Sequence, residues 1–131
     1  MTVKDIKNNI DVAHSLEPAV RATGTANGAA VDLQGYHAAA LVVYFGAYTN
    51  GTHTPTLEHS DDGTTFSATI ASDLDGSFTA VASAGGANTL QRVGYRGSKR
   101  YLRAVMTVAS GATGAASAAA VIRSAAGSEP V

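Results

Sequence analysis

"HAAALVVYFGAYTNGTHTPTLEHSDDGTTFSATI", residues 37–70, holds the reading on which the fold turns. Residues 37–49 are apolar almost throughout, a pattern that suits a central strand covered on both faces. Asn50-Gly51 opens a loop that reaches Pro55. Leu57 to Ser60 then runs into Asp61-Asp62-Gly63, a tight polar turn, and Thr64 to Ile70 reads as the returning strand.

Working outward, residues 20–36 carry Asn27-Gly28 between stretches of Val, Thr and Ala. This predicts a hairpin, because a type I′ turn needs positive φ at both central residues. Gly35 is expected to end its second strand. On the other side, residues 71–88 are small and polar and read as an extended surface loop with one short strand at "SFTAVA", residues 77–82. Residues 89–95 form a further strand. In "KRYLRAVMTV", residues 99–108, Leu102, Ala104, Met106 and Val108 share one face, and Lys99, Tyr101, Arg103, Val105 and Thr107 share the other. "AASAAAVIRS", residues 115–124, is the last strand. Seven to nine short strands without a long helix predict an all-β fold, an antiparallel β-sandwich or jelly roll. Val3, Ile6, Ile10, Val12 and Leu16 fit a short helix or an extended segment equally well. The expected organisation is an N-terminal arm over 1–17, a sandwich domain over 18–124 and a flexible tail over 125–131.

The chain has 131 residues, one domain's worth, and a domain of this size buries roughly 65–70% of its unfolded surface. Charged residues make up 15% and the net charge is −1, which argues against disorder and against a module that seeks polyanions, so no nucleic-acid partner is expected. Aromatic residues are only 6% and Trp is absent, while Ala is abundant. Small side chains bury little area, so stability shared with partners is a reasonable expectation. Without Cys there is no disulfide and no thiolate site. The N-terminal "MTVKDIKNNIDVAH" mixes charges with its apolar residues, so neither a signal peptide nor a membrane span is expected, and the chain is expected to fold in a reducing cytoplasm.

Motifs for chemistry are sparse. No G-x-S-x-G elbow occurs, and no enzymatic activity or cofactor is expected. His53, His59, Asp61 and Asp62 crowd one hairpin, but His59 reads as outward-pointing and the two Asp as turn-formers, so no metal site is expected. "DLDG", residues 73–76, resembles the start of a Ca²⁺ loop, yet Phe78 and Ala84 stand where that loop needs Gly and Glu. Asn50-Gly51-Thr52 matches a glycosylation sequon and reads as a turn. The five tyrosines, Tyr36, Tyr44, Tyr48, Tyr95 and Tyr101, are expected in core or interface more than as a sugar-stacking platform. Arg92, Arg96, Lys99, Arg100 and Arg103 are five of the nine basic residues. On two antiparallel strands and their turn they would gather at one end of the sheet, either as a solvated face or as a docking patch for an acidic surface.

Three segments, "VDLQGYHAAALVVYFGAYTNG", "LEHSDDGTTFSA" and "VGYRGSKRYLRAVMTV", together resemble small β-rich virion proteins encoded in the head gene clusters of tailed phages, the capsid cement or decoration proteins. The resemblance covers roughly residues 20 to 123, with "GYRGSKRYLRAV" its most telling part. It implies a β-sandwich made in the bacterial host cytoplasm that binds the outer capsid surface of the virion as a homodimer or homotrimer and clamps neighbouring subunits of the major capsid protein. On that reading the arm around Ile6, Ile10 and Val12 and the basic residues Arg96, Lys99 and Arg100 are the expected contacts. No membrane partner is expected. The alternatives are a glycan-binding sandwich, because "SDDG" followed later by "RYLR" also resembles discoidin-like modules, and a minor tail or head-to-tail component.

Overall fold

The computed structural model describes residues 6–125. Ten strands form two antiparallel sheets: β1 Ile10–Arg21, β2 Gly24–Asn27, β3 Val31–Asp32, β4 Tyr36–Tyr48, β5 Thr52–Ser60, β6 Ser67–Ala68, β7 Leu74–Asp75, β8 Leu90–Tyr95, β9 Tyr101–Ala109 and β10 Ala115–Ala125. The first sheet runs β1-β10-β4-β8-β7 and the second runs β2-β9-β5-β6, with β3 also paired to β9. With β2 and β3 counted as one interrupted strand and β7 as an addition at the edge, this order is the jelly roll.

Period-two alternation builds the core. Leu41, Val43 and Phe45 of β4, Val93 of β8 and Val121 of β10 face Leu57 of β5 and Leu102, Ala104, Met106 and Val108 of β9, and all are buried. The inward face of β9 is the one its alternation indicates.

Other expectations are corrected. The boundary at Pro18 falls inside β1, which starts at Ile10, so most of the expected arm is a strand of the first sheet. Pro18 is tolerated because β1 is an edge strand with register breaks between His14 and Leu16 and between Leu16 and Ala19. Ile6 to Asn9 is a turn, closed by Asn9 N–H donating to Ile6 O at 3.0 Å. Residues 1–5 of the expected arm and 126–131 of the expected tail lie outside the described residues.

Asn27-Gly28 is not a hairpin, since β2 and β3 lie end to end along β9 and neither residue has positive φ. Gly28 is required by space instead. A Cβ there would strike Ser15 Oγ and come within 2.7 Å of Ser15 O and 2.8 Å of Ala104 O. Buried Ser15 joins the two sheets at this point: its hydroxyl donates to Ala29 O at 2.8 Å and accepts from Ala104 N–H at 2.9 Å. A second clasp is Arg123 of β10, which pairs with Asp11 of β1, donates to Asp32 O of β3 at 2.7 Å and lies 4.3 Å over the Tyr36 ring.

The 71–88 segment is more ordered than a bare loop. It contains 3₁₀ turns at Ala71–Asp73 and Ala84–Gly86 and the short β7. The strand expected at 77–82 reduces to a single bridge, in which Val81 and His53 exchange two 2.8 Å backbone bonds. β8 and β9 belong to different sheets, so residues 96–100 cross from one layer to the other and do not form a hairpin turn.

Candidate interaction surface

The hairpin of residues 57–68 is a self-satisfied corner. Asp62 Oδ1 accepts from Ser60 Oγ, Thr64 N–H and Thr65 N–H at 2.8–2.9 Å, and Ser60 Oγ in turn accepts from Asp62 and Gly63 N–H. Donors converging on the charged form, first the amides of Thr65 and Thr64 and then the Ser60 hydroxyl, hold the Asp62 carboxyl down at about 2. His59 does not point outward. A period of two places it on the same face as Leu57, and it is buried with Nδ1 2.8 Å from Tyr95 OH. His53 is fully buried against the edges of Phe45 and Tyr48. Among the described residues, no group of three or more His, Asp or Glu is placed to hold a metal ion.

Four of the five residues of the basic cluster are paired within the chain. Arg96 pairs with Asp75 at 3.4 Å, Lys99 with Asp61 at 2.8 Å, Arg100 with Asp32 at 2.8 Å and Arg103 with Glu58 at 2.6 Å. The Arg100 fork, then the Gln34 amide, hold Asp32 at about 2, and Asp61 raises Lys99 above its ordinary value. Lys99 and Arg100 line a cleft of about 420 Å³ together with Gln34, Tyr36, His37 and Tyr95. Its aromatic groups are engaged: Tyr36 lies under Arg123, and Tyr95 OH meets both His59 and the Lys99 amide. Tyr48 donates to Gly51 O and Tyr101 lies under Arg100, so Tyr44 alone of the five shows its ring on an open sheet face.

That face is the outer side of the first sheet. Alternation turns Ile10, Val12, His14 and Val20 of β1, Ala116, Ala118, Ala120 and Ile122 of β10, Ala38, Ala40, Val42 and Tyr44 of β4, Leu90, Arg92 and Gly94 of β8, and Asp75 of β7 to the same side, with register breaks in β1 and near the ends of β10. Val12 is 57% exposed, Val20 66%, Tyr44 45% and Leu90 65%. Between them Tyr44, Gly46, Ala116 and Ala118 border an apolar hollow of about 190 Å³ with Pro18 and Ala19. Two formal charges stand here: Asp75 at the β7 edge, paired with Arg96, and Arg92, which has no ion-pair partner among the described residues. The second sheet's outer side is different in kind: exposed Thr25, Thr52, Thr54, Thr56 and Thr107 surround the Glu58–Arg103 pair.

Of the residues expected to make contacts, Ile10 and Val12 lie on the apolar face, and Ile6, 67% exposed, sits in the turn before it. Arg96, Lys99 and Arg100 lie at the end of the sandwich, in ion pairs. Val20 and Leu90 were not singled out by the sequence reading, which named Arg92 only within the basic cluster and Tyr44 only among tyrosines expected in core or interface. The signal for them was the two-sided apolar character of residues 37–49, which predicts cover on both faces; within the chain only the inner face receives it.

Fold and surface define an all-β jelly-roll sandwich with one apolar sheet face left open. Among solved structures the chain is similar to the crystal structure of PBSX exported protein XepA, with a TM-score of 0.60 and 19% identity over 97% of this chain. The match spans 40% of that longer chain, and at this identity it shows a shared fold. No family model matches the chain, and no curated protein matches it.

Proposed function

We propose that the protein is a non-enzymatic structural component of a tailed-phage particle, decorating and stabilising the capsid by binding across subunits of the major capsid protein on its outer surface. The observation that carries this is the outer side of the first sheet, where strands composed for burial on two sides are covered on one. An apolar surface of this breadth marks an interaction site, and burying it against a partner supplies stability that an Ala-rich core contributes sparingly. The shared fold with a phage exported protein and the resemblance of residues 20–123 to phage virion proteins support the same reading.

Binding of purified variants to shells assembled without the protein tests it. Leu90→Asp and Val20→Asp place charge on the open face and are expected to weaken shell binding at least tenfold, whereas Thr54→Asp on the polar sheet leaves it unchanged. Equal binding by all three overturns the assignment of this face. A minor tail or head-to-tail position would present the same surface at few copies per particle, so the copy number separates the two placements.

A further inference from the structure

The sandwich has four sheet edges, and three of them are short: β7 and β6 have two residues each and β2 has four. Short edges are one of the ways in which proteins prevent unwanted strand pairing. β1, with twelve residues, is the exception. Its C-terminal half is closed. Ser15 O accepts from Ala29 N–H at 2.7 Å, Arg21 donates to Glu17 O at 2.7 Å and to Ala19 O at 3.2 Å, Pro18 has no N–H, and two register breaks interrupt this half.

The N-terminal half, Ile10 to His14, is different. It pairs with β10 in unbroken register, contains no Pro or Lys, and no strand pairs with its other side among the described residues. The Ile10 N–H is taken by Ile6 O at 3.1 Å, which leaves Asp11 to His14 and the Ile10 carbonyl for a further strand. Its one charge, Asp11, is drawn back by Arg123 of β10.

We infer that Ile10 to His14 pairs antiparallel with the same segment of a second copy, joining two first sheets into one continuous sheet about a two-fold axis at Val12. The charges select both occupant and register. Centring on Val12 sets Ile10 opposite the second copy's His14 and Asp11 opposite its Ala13, whereas centring on Asp11 would oppose two carboxylates. Centring on Ala13 would run Asp11 against Ser15, whose carbonyl is already engaged. Antiparallel pairing also brings the Lys7 turn of each copy toward the exposed Glu17 end of the other. Because each chain offers one such edge, the contact is isologous and closes at two copies. It places Ile10 and Val12 of both chains side by side and doubles the width of the apolar face.

The absence of cysteine makes the test direct, since Val12→Cys carries the chain's single thiol. Across the axis the paired Cα atoms lie about 4.5–5.5 Å apart, within disulfide reach. Under mild oxidation Val12→Cys is expected to give a covalent dimer in high yield, while Val20→Cys, equally exposed on the same strand, gives little. Sedimentation is expected to show a dimer for the unmodified chain and a monomer of unchanged melting temperature for Val12→Lys. A monomeric parent chain, or equal cross-linking at both positions, overturns the inference. Shell binding is scored separately: a chain that is monomeric yet binds shells refutes the two-fold edge and leaves the proposed function standing, and a dimer that ignores shells does the reverse.

Discussion

Ser15, Gly28 and Asp62 show how single residues fix this fold. Ser15 has one hydroxyl and uses it twice, donating in a half-buried bond to the Ala29 carbonyl and accepting from the buried Ala104 N–H on the opposite sheet. Ser15→Ala strands both, and a buried polar group left without its partner costs about 1–3 kcal/mol. Chemical denaturation should show a loss in that range with the slope unchanged. Gly28→Ala should lower the same midpoint, because the added methyl meets backbone oxygens that cannot swing aside. At Asp62 the carboxyl is held at about 2 in the folded chain against about 3.9 in an unfolded one. A depressed folded value means that the stabilisation is full above about pH 4 and is lost as pH falls toward 2. The melting-temperature advantage of the parent over Asp62→Asn should therefore be constant near neutrality and shrink between pH 4 and 2.

At the scale of elements, β4 carries apolar residues on two faces with different duties. Leu41 is fully buried, and Leu41→Ala should cost about 2–5 kcal/mol in the isolated protein. Leu90 stands 65% exposed on the neighbouring β8, and Leu90→Ser should change stability by less than about 0.5 kcal/mol while weakening partner binding. The strands over 37–49, 89–95, 99–108 and 115–124 were legible because period-two alternation or a continuous apolar run survives in any β context. Pairing was less legible. Asn27-Gly28 has hairpin chemistry, but the close approach of Ser15, 13 residues away in the chain, sets its geometry. The turn between β8 and β9 reads locally like a hairpin, yet whether two strands share a sheet is decided by partners distant in sequence. Ile10 and Val12 were named as contact candidates on the resemblance, as part of an arm, and the structure puts them in the edge strand β1. The neutralised state of Arg96, Lys99 and Arg100 was not, because Asp75, Asp61 and Asp32 lie 21 or more residues away along the chain.

For the whole molecule, the two outer faces divide the labour. Threonines and a buttressed Glu58–Arg103 pair keep the second sheet compatible with water, while Ala, Val, Tyr44 and Leu90 leave the first suited to contact. On the proposed function, Arg92, without an ion-pair partner among the described residues, would meet an acidic group on the capsid. Arg92→Glu should therefore slow association with shells, most strongly at low salt, with little change in the folding midpoint. The measurement that bears most directly on the account is saturation binding of the purified protein to shells assembled without it, with bound copies counted and shell melting followed. The account predicts saturation at a fixed icosahedral number of copies and a higher melting temperature for the decorated shell. Absence of binding, or saturation at only a few copies with melting unchanged, would contradict it.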